Sequence, residues 1–291
     1  MSKKDSNTNS SNPLASHFRV PKLYTHIPSH GKFYTPDIMV MPDNGELAIY
    51  AMTTKDEVLM KNPDALLNGE AVTQIIKNCV PGVYQPRKLL INDVDALLVA
   101  IQAATYGDHV AVSSNCPKCK TKIEMQASVS AILEGMDTME ESYSLPTGNG
   151  LVIEVKPYTY ASNIKAGIAN FKSTRSLQSL QNIEDEMAQL KAFTASFVKI
   201  ALLNFELLIE SVASITIPGT DGDNIVTDRT HITEFLENCD GTIGTAIESK
   251  MKKVNAVGIH TEILVQCTNE SCKHEFDSEV NFDPVNFSTA S

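Results

Sequence analysis

The sequence predicts an α+β protein, helix-rich with small antiparallel sheets and two cysteine hairpins that together form one structural zinc site of the zinc-ribbon kind. Three observations predict it. Cys116 and Cys119 form one close pair and Cys267 and Cys272 another. Apolar residues recur every three or four positions through most of residues 158–214, which is the helical period. Elsewhere prolines and glycines cut the chain into short strand-like and helix-like pieces.

The 291 residues, 42 % of them hydrophobic, can bury a core, so a metal would staple the fold and not constitute it. No unbroken apolar run approaches the roughly 20 residues that span a bilayer, so neither a transmembrane helix nor a membrane partner is expected. The start, MSKKDSNTNSSNP, is too polar for a signal peptide. Four of six cysteines stand in close pairs without a secretory leader, which favours metal over disulfides and a reducing cytoplasm as the place of folding. The net charge of −11 disfavours a phosphate backbone as partner. The basic clusters at 118–122 and 250–253 read as solvated faces.

Residues 1–19 read as a flexible polar arm, rich in Ser, Asn and Lys. Prolines 21, 28, 36 and 42 forbid helix before residue 50 and leave strands and turns. Thr54 and Glu57 make a capping-box pattern that starts a helix at Lys55. Residues 62–80 give one short and one longer helix, closed by Pro81 and Gly82. Asn92 is the expected cap of a helix from Asp93 to Tyr106, ended by Gly107. After the first cysteine pair come a break near Pro146 and Gly150, a strand over 151–155, and the long helical segment with Ile183, Met187, Leu190, Phe193, Phe197, Ile200, Leu203 and Leu207 in its apolar row. That segment reads either as a central core helix or as an exposed strip covered by a neighbouring protein. A strand containing ITI, a GTDGD loop, and helices over 230–238 and 242–255 complete the chain before the second pair. The GTDGDN run lacks the closing glutamate of a calcium loop and reads as a turn.

The two cysteine segments share one template: Gly, one residue, His, six residues, Cys, then a second Cys followed by Lys. Gly107, His109 and Cys116 correspond to Gly258, His260 and Cys267, and only the turn differs, by two residues. With a weaker echo between 45–54 and 150–159, this predicts an internal duplication: a unit at 20–144 and an enlarged one at 145–291. Each hairpin offers two thiolates at its tip, and two tips together make the tetrahedral sulfur shell zinc prefers. An iron–sulfur cluster is the chemical alternative. His109, His260 and His274 sit poorly for ligation, and Cys79 and Cys239 read as buried apolar residues.

No phosphate-binding loop, dinucleotide fingerprint, zinc-protease helix or nucleophile elbow occurs, so no catalytic residue is assigned. IPSHGKFY at 27–34, KDEVLM at 55–60, LLNGEAVTQII at 66–76 and DALLVAIQAATYGDHVAV at 95–112, followed by CPKC, resemble the baseplate hub subunit and baseplate assembly proteins of T-even-type contractile-tailed bacteriophages. The resemblance implies a non-enzymatic role in the hub region, with other baseplate and tail proteins as partners. It also implies a place in the virion baseplate and in the host cytoplasm during assembly. A zinc-ribbon nucleic-acid binder and a metal hydrolase are the competing classes. Acidity and the lack of a basic aromatic stripe oppose the first, and the second needs an open ligand position.

Overall fold

A computed structural model of the chain describes Leu14, residues 17–180, 186–219 and 224–280, and Phe282. Most of the polar arm, Ile183 and most of the GTDGD loop lie outside the described residues. Strands β1 (Pro21–Thr25) and β2 (Leu47–Tyr50) pair antiparallel, with the proline-rich segment looping between them. Helix α1 (Thr54–Met60) follows, then α2 (Pro63–Leu67), α3 (Glu70–Cys79) and α4 (Ile91–Tyr106). The capping box forms one residue earlier than expected, on Thr53 and Asp56. The Thr53 N–H reaches the Asp56 carboxylate at 2.8 Å, and the same buried carboxylate accepts from Asn78 Nδ2 at 2.7 Å, a partner that Glu57 does not have.

Beyond α4, β3 (His109–Asn115) and β4 (Lys122–Ser128) form the first cysteine hairpin, followed by the short α5 (Val129–Glu134). A four-stranded antiparallel sheet then assembles in chain order from β5 (Tyr143–Pro146), β6 (Val152–Val155), β7 (Val212–Ile217) and β8 (Asn224–Val226). Between β6 and β7 run α6 (Tyr160–Leu180) and α7 (Glu186–Ser211). Helices α8 (Arg229–Asn238) and α9 (Gly241–Asn255) lead to the second cysteine hairpin, β9 (Glu262–Gln266) and β10 (Glu275–Glu279). Mixed helices with small antiparallel sheets are therefore as the sequence predicts.

Helix α4 is the axis of the larger core: Val94, Leu97 and Ile101 are wholly buried against α3 and the first sheet. Tyr160 and Val280, from the later part of the chain, join this core. A second core lies between the four-stranded sheet, α8 and α9, and takes in Leu90 from the start of α4. The cores meet where Leu90 bridges Thr159, with the Tyr160 N–H on Leu89 O at 2.7 Å and the Ile91 N–H on Tyr158 O at 2.9 Å.

Asn92 does not cap α4. Leu90 occupies the cap position because its backbone is held by Thr159 and by the Tyr34 hydroxyl, which accepts the Leu90 N–H at 2.9 Å. Asn92, 3 % exposed, instead donates its amide to Val254 O at 3.1 Å and Val257 O at 2.7 Å, tying the start of α4 to carbonyls at and just beyond the C-terminal end of α9. One turn position on, fully buried Asp93 accepts the Ser29 N–H at 2.9 Å and the Tyr34 hydroxyl. Burial raises the Asp93 carboxyl above the usual range, against those hydrogen bonds. The IPSHGKFY segment is thus the turn that covers the start of α4.

Helix α7 divides into two regimes. Leu207 and Leu208 near its C-terminal end are buried, whereas Leu190, Phe197 and Leu202 are about 60 % exposed. The core-helix reading holds only for that end. The expectation that no helix has membrane length is corrected here, since Gln189–Ser211 is long and apolar enough by length and composition. Isolated charges such as Lys199 and Glu206 break an uninterrupted run without removing its average apolar character.

Tyr34→Phe should therefore destabilise the fold by about 2–4 kcal/mol, because it orphans one Asp93 oxygen and the Leu90 N–H inside the core. Urea unfolding of wild type and variant measures it, and coincident curves would contradict the network's role.

Candidate metal centre

Each cysteine hairpin follows a long helix, with a glycine in the connection between them. Gly107, at φ 98°, follows α4 and Gly258, at φ 125°, follows α9, both in backbone conformations that side chains resist. The β3–β4 ladder runs unbroken from His109 opposite Ser128 to Asn115 opposite Lys122, which carries Cys116 and Cys119 to the tip. The β9–β10 ladder ends with Gln266 opposite Glu275 and does the same for Cys267 and Cys272.

The turns are built alike. The Cys116 N–H donates to Thr121 O and the Lys120 N–H to Cys116 O, each at 2.9 Å. In the second turn the Cys267 N–H donates to His274 O at 2.9 Å, and the Cys272 and Lys273 N–H groups both donate to Asn269 O, at 2.9 and 3.1 Å. The two extra residues are absorbed by an Asn269 turn, in which its side-chain oxygen accepts the Ser271 N–H at 3.0 Å. After the second cysteine of each pair the chain passes through the left-handed region, at Lys120 (φ 61°) and Lys273 (φ 44°).

The four sulfurs lie within 4.8 Å of one another. Cys116 faces Cys272 at 3.9 Å and Cys119 faces Cys267 at 3.5 Å, so the short contacts run between hairpins. Four sulfurs bonded at ~2.3 Å to a tetrahedral ion stand about 3.8 Å apart, so this donor set fits one such ion. These distances are far from the ~2.05 Å of a disulfide. Buried Ile123 and Val265, with Met125, Ile263 and Phe276 around them, form a small apolar floor beneath the sulfurs.

The thiols differ in acidity. The Thr121 hydroxyl and then its backbone N–H lower Cys119 to about 6. At Cys267 the backbone N–H of Asn269 favours the thiolate, but desolvation and the hydrogen bonds that its own S–H donates to the neighbouring sulfurs outweigh it and push the group up to about 12. Cys272 is raised for similar reasons against the backbone N–H of His274. Crowded sulfurs of this kind ionise together only beside a cation.

The structure thus brings together all four cysteines singled out in the sequence. The histidines stay apart from the cluster: His260 Nε2 lies 2.9 Å from an Asp137 oxygen, and the His274 ring stacks near Phe276. Cys79 is fully buried beside the Arg19 guanidinium, and Cys239 is half-buried against the second core. Thr121, 3.1 Å from the Cys119 sulfur through its hydroxyl, was not anticipated, and only the Thr that directly follows Cys119 and Lys120 hints at it.

A family model described as T4 bacteriophage base plate protein matches residues 26–287, which include both hairpins. The chain belongs to this phage baseplate family. As a T4-type baseplate protein it is a structural component of the phage tail baseplate, and other tail proteins are its partners. No curated protein and no solved structure matches it.

The left-handed lysines give a test of the turn geometry. Lys120→Gly and Lys273→Gly should each raise stability, by up to ~1 kcal/mol, because glycine adopts that backbone without strain. Thermal unfolding reads the effect, and a loss larger than ~1 kcal/mol would contradict the left-handed turns.

Proposed function

We propose that this baseplate protein is a non-enzymatic structural or assembly component of the hub region, whose two halves are tied by one zinc ion on Cys116, Cys119, Cys267 and Cys272. The observation that carries the metal reading is the meeting of four sulfurs from two hairpins within 4.8 Å. Four sulfur ligands leave no position for a substrate or an activated water, so the ion would hold structure and perform no chemistry. Zinc suits the all-thiolate tetrahedron in a protein folded in a reducing compartment. The role in the hub rests on the family and on the segments that resemble hub subunits and assembly proteins.

The division into units at 20–144 and 145–291, and their origin by duplication, belong to the same reading. Each half runs from a strand pair through helices to a long helix, a left-handed glycine and a cysteine hairpin. A duplicated unit would present the same tip twice, and pairing the two tips is the natural self-complementary contact.

Elemental analysis of the purified protein should find one zinc per chain, and Cys267→Ser should lose it. Full zinc content in the variant would overturn the four-sulfur site. Chelation of the wild type should lower the melting temperature while most helical circular dichroism remains, since both main cores lie away from the sulfurs. Complete loss of helix at room temperature would contradict that. For the role itself, phage lacking the gene should form tails with incomplete baseplates, and normal baseplates would contradict it.

A further inference from the structure

Helix α7 presents two faces with different neighbours. Half-buried Ala192, Ser196, Ile200 and Leu203 follow one another at helical spacing on the side of α6. Around the rest of the circumference Leu190 is 60 % exposed, Phe193 45 %, Phe197 62 % and Val198 51 %. The two phenylalanine rings lie 5.3 Å apart and shield little of one another. Together these four side chains leave roughly 400 Å² of apolar surface open, the size of the largest patch an ordinary monomer keeps.

The spacing of this outer face is heptad-like. With Leu190 and Phe197 at the d position, Thr194 and Ala201 fall at a, Phe193 at g and Val198 at e. The small residues at a, between larger ones at d and g, leave room for a second helix of the same kind. Two such faces, with the small residues between, bury about 1,000 Å², the threshold of a specific interface.

Charge selects the orientation. Residues 187–205 hold no carboxylate and two lysines, Lys191 and Lys199. An antiparallel pair centred on the exposed face sets Lys191 of one copy against Lys199 of the other. A parallel pair avoids that clash and sets Phe193, at g, against Val198, at the following e position. A bilayer fits less well. The hairpin would have to carry α6 in with α7, and α6 bears Lys165, Lys172 and Arg175. Lys165 is also engaged at the base of the hairpin by Glu206 at 2.6 Å and Glu210 at 3.7 Å.

We propose that the outer face of α7 is a homodimer interface, on which a second copy of this chain lays its own α7 parallel to the first. The two α6–α7 hairpins then form a four-helix arrangement with the α7 helices inside. This pairing is independent of the metal reading, because the hairpin and the sulfur cluster share no residue.

Sedimentation equilibrium of the full chain from about 1 to 100 µM tests it, with a dimer of micromolar dissociation constant expected. Phe193→Glu combined with Phe197→Glu should be monomeric throughout and melt at the wild-type temperature. Lys191→Glu should leave the dimer no tighter, since the parallel register does not set Lys199 opposite it. A monomeric wild type at the highest concentration overturns the proposal. So does a double phenylalanine variant that still dimerises, or one that loses its helical signal, which would make the face core. A Lys191→Glu dimer tighter than wild type overturns the parallel register, because only the antiparallel pair sets Lys199 against that position. Co-sedimentation with phosphatidylglycerol–phosphatidylethanolamine vesicles, abolished by the same phenylalanine changes in a chain that does not dimerise, would assign the face to lipid instead.

Discussion

Two hairpin tips separated by about 150 residues of chain meet through four sulfur atoms, and that meeting constrains the rest of the molecule. It fixes where each hairpin points. The hairpin directions are tied to the ends of α4 and α9 through short connections, residues 107–108 and 256–261, each containing one glycine of positive φ. Contacts between neutral thiols are weak and would not by themselves hold four sulfurs this close. A cation held by four thiolates can, and this is the physical reason for preferring a metal over four ordinary cysteines.

The sulfur contact does not act alone. The N-terminal turn of α4 carries two buried polar groups that knit distant segments. Asn92 reaches forward to the open carbonyls at the end of α9, and Asp93 reaches back to Ser29 and Tyr34. Both helices that launch the cysteine hairpins are therefore cross-linked at the opposite side of the core. A buried amide and a buried carboxylate would be liabilities without these partners. The Asn92 Nδ2 and the Asp93 carboxylate are paired, although Asn92 Oδ1 is buried without a partner, and these directional bonds favour one relative placement of α4 and α9 over the sliding that a purely apolar contact allows.

Much of this was legible in the sequence, for identifiable reasons. The cysteine spacing, repeated with its glycine and histidine, is a dense local signal, and the sulfurs meet as it implied. Helix existence followed from period and the stop of α4 from Gly107, whereas α9 ends before Gly258, at Asn255 with Ala256 as its cap. The errors came where a long-range partner overrode a local rule. Asn92 has the chemistry of a cap, yet the α9 carbonyls claim it while Tyr34 and Thr159 hold the true cap. Asp56 outcompetes Glu57 for the capping box because Asn78, from another helix, joins it. The exposure of Phe193 and Phe197 was not readable, because an apolar stripe looks the same whether it faces a core or a partner. Nor does a count of uninterrupted apolar residues register α7, whose lone charges leave its average apolar.

The baseplate component has two main cores and one cluster of four sulfurs, and we infer that a zinc ion holds the cluster. The most direct test of that account is X-ray absorption at the zinc edge on the purified full-length protein. The account predicts a single shell of four sulfur atoms at ~2.3 Å. A shell containing nitrogen or oxygen, or no zinc signal at all, would contradict it.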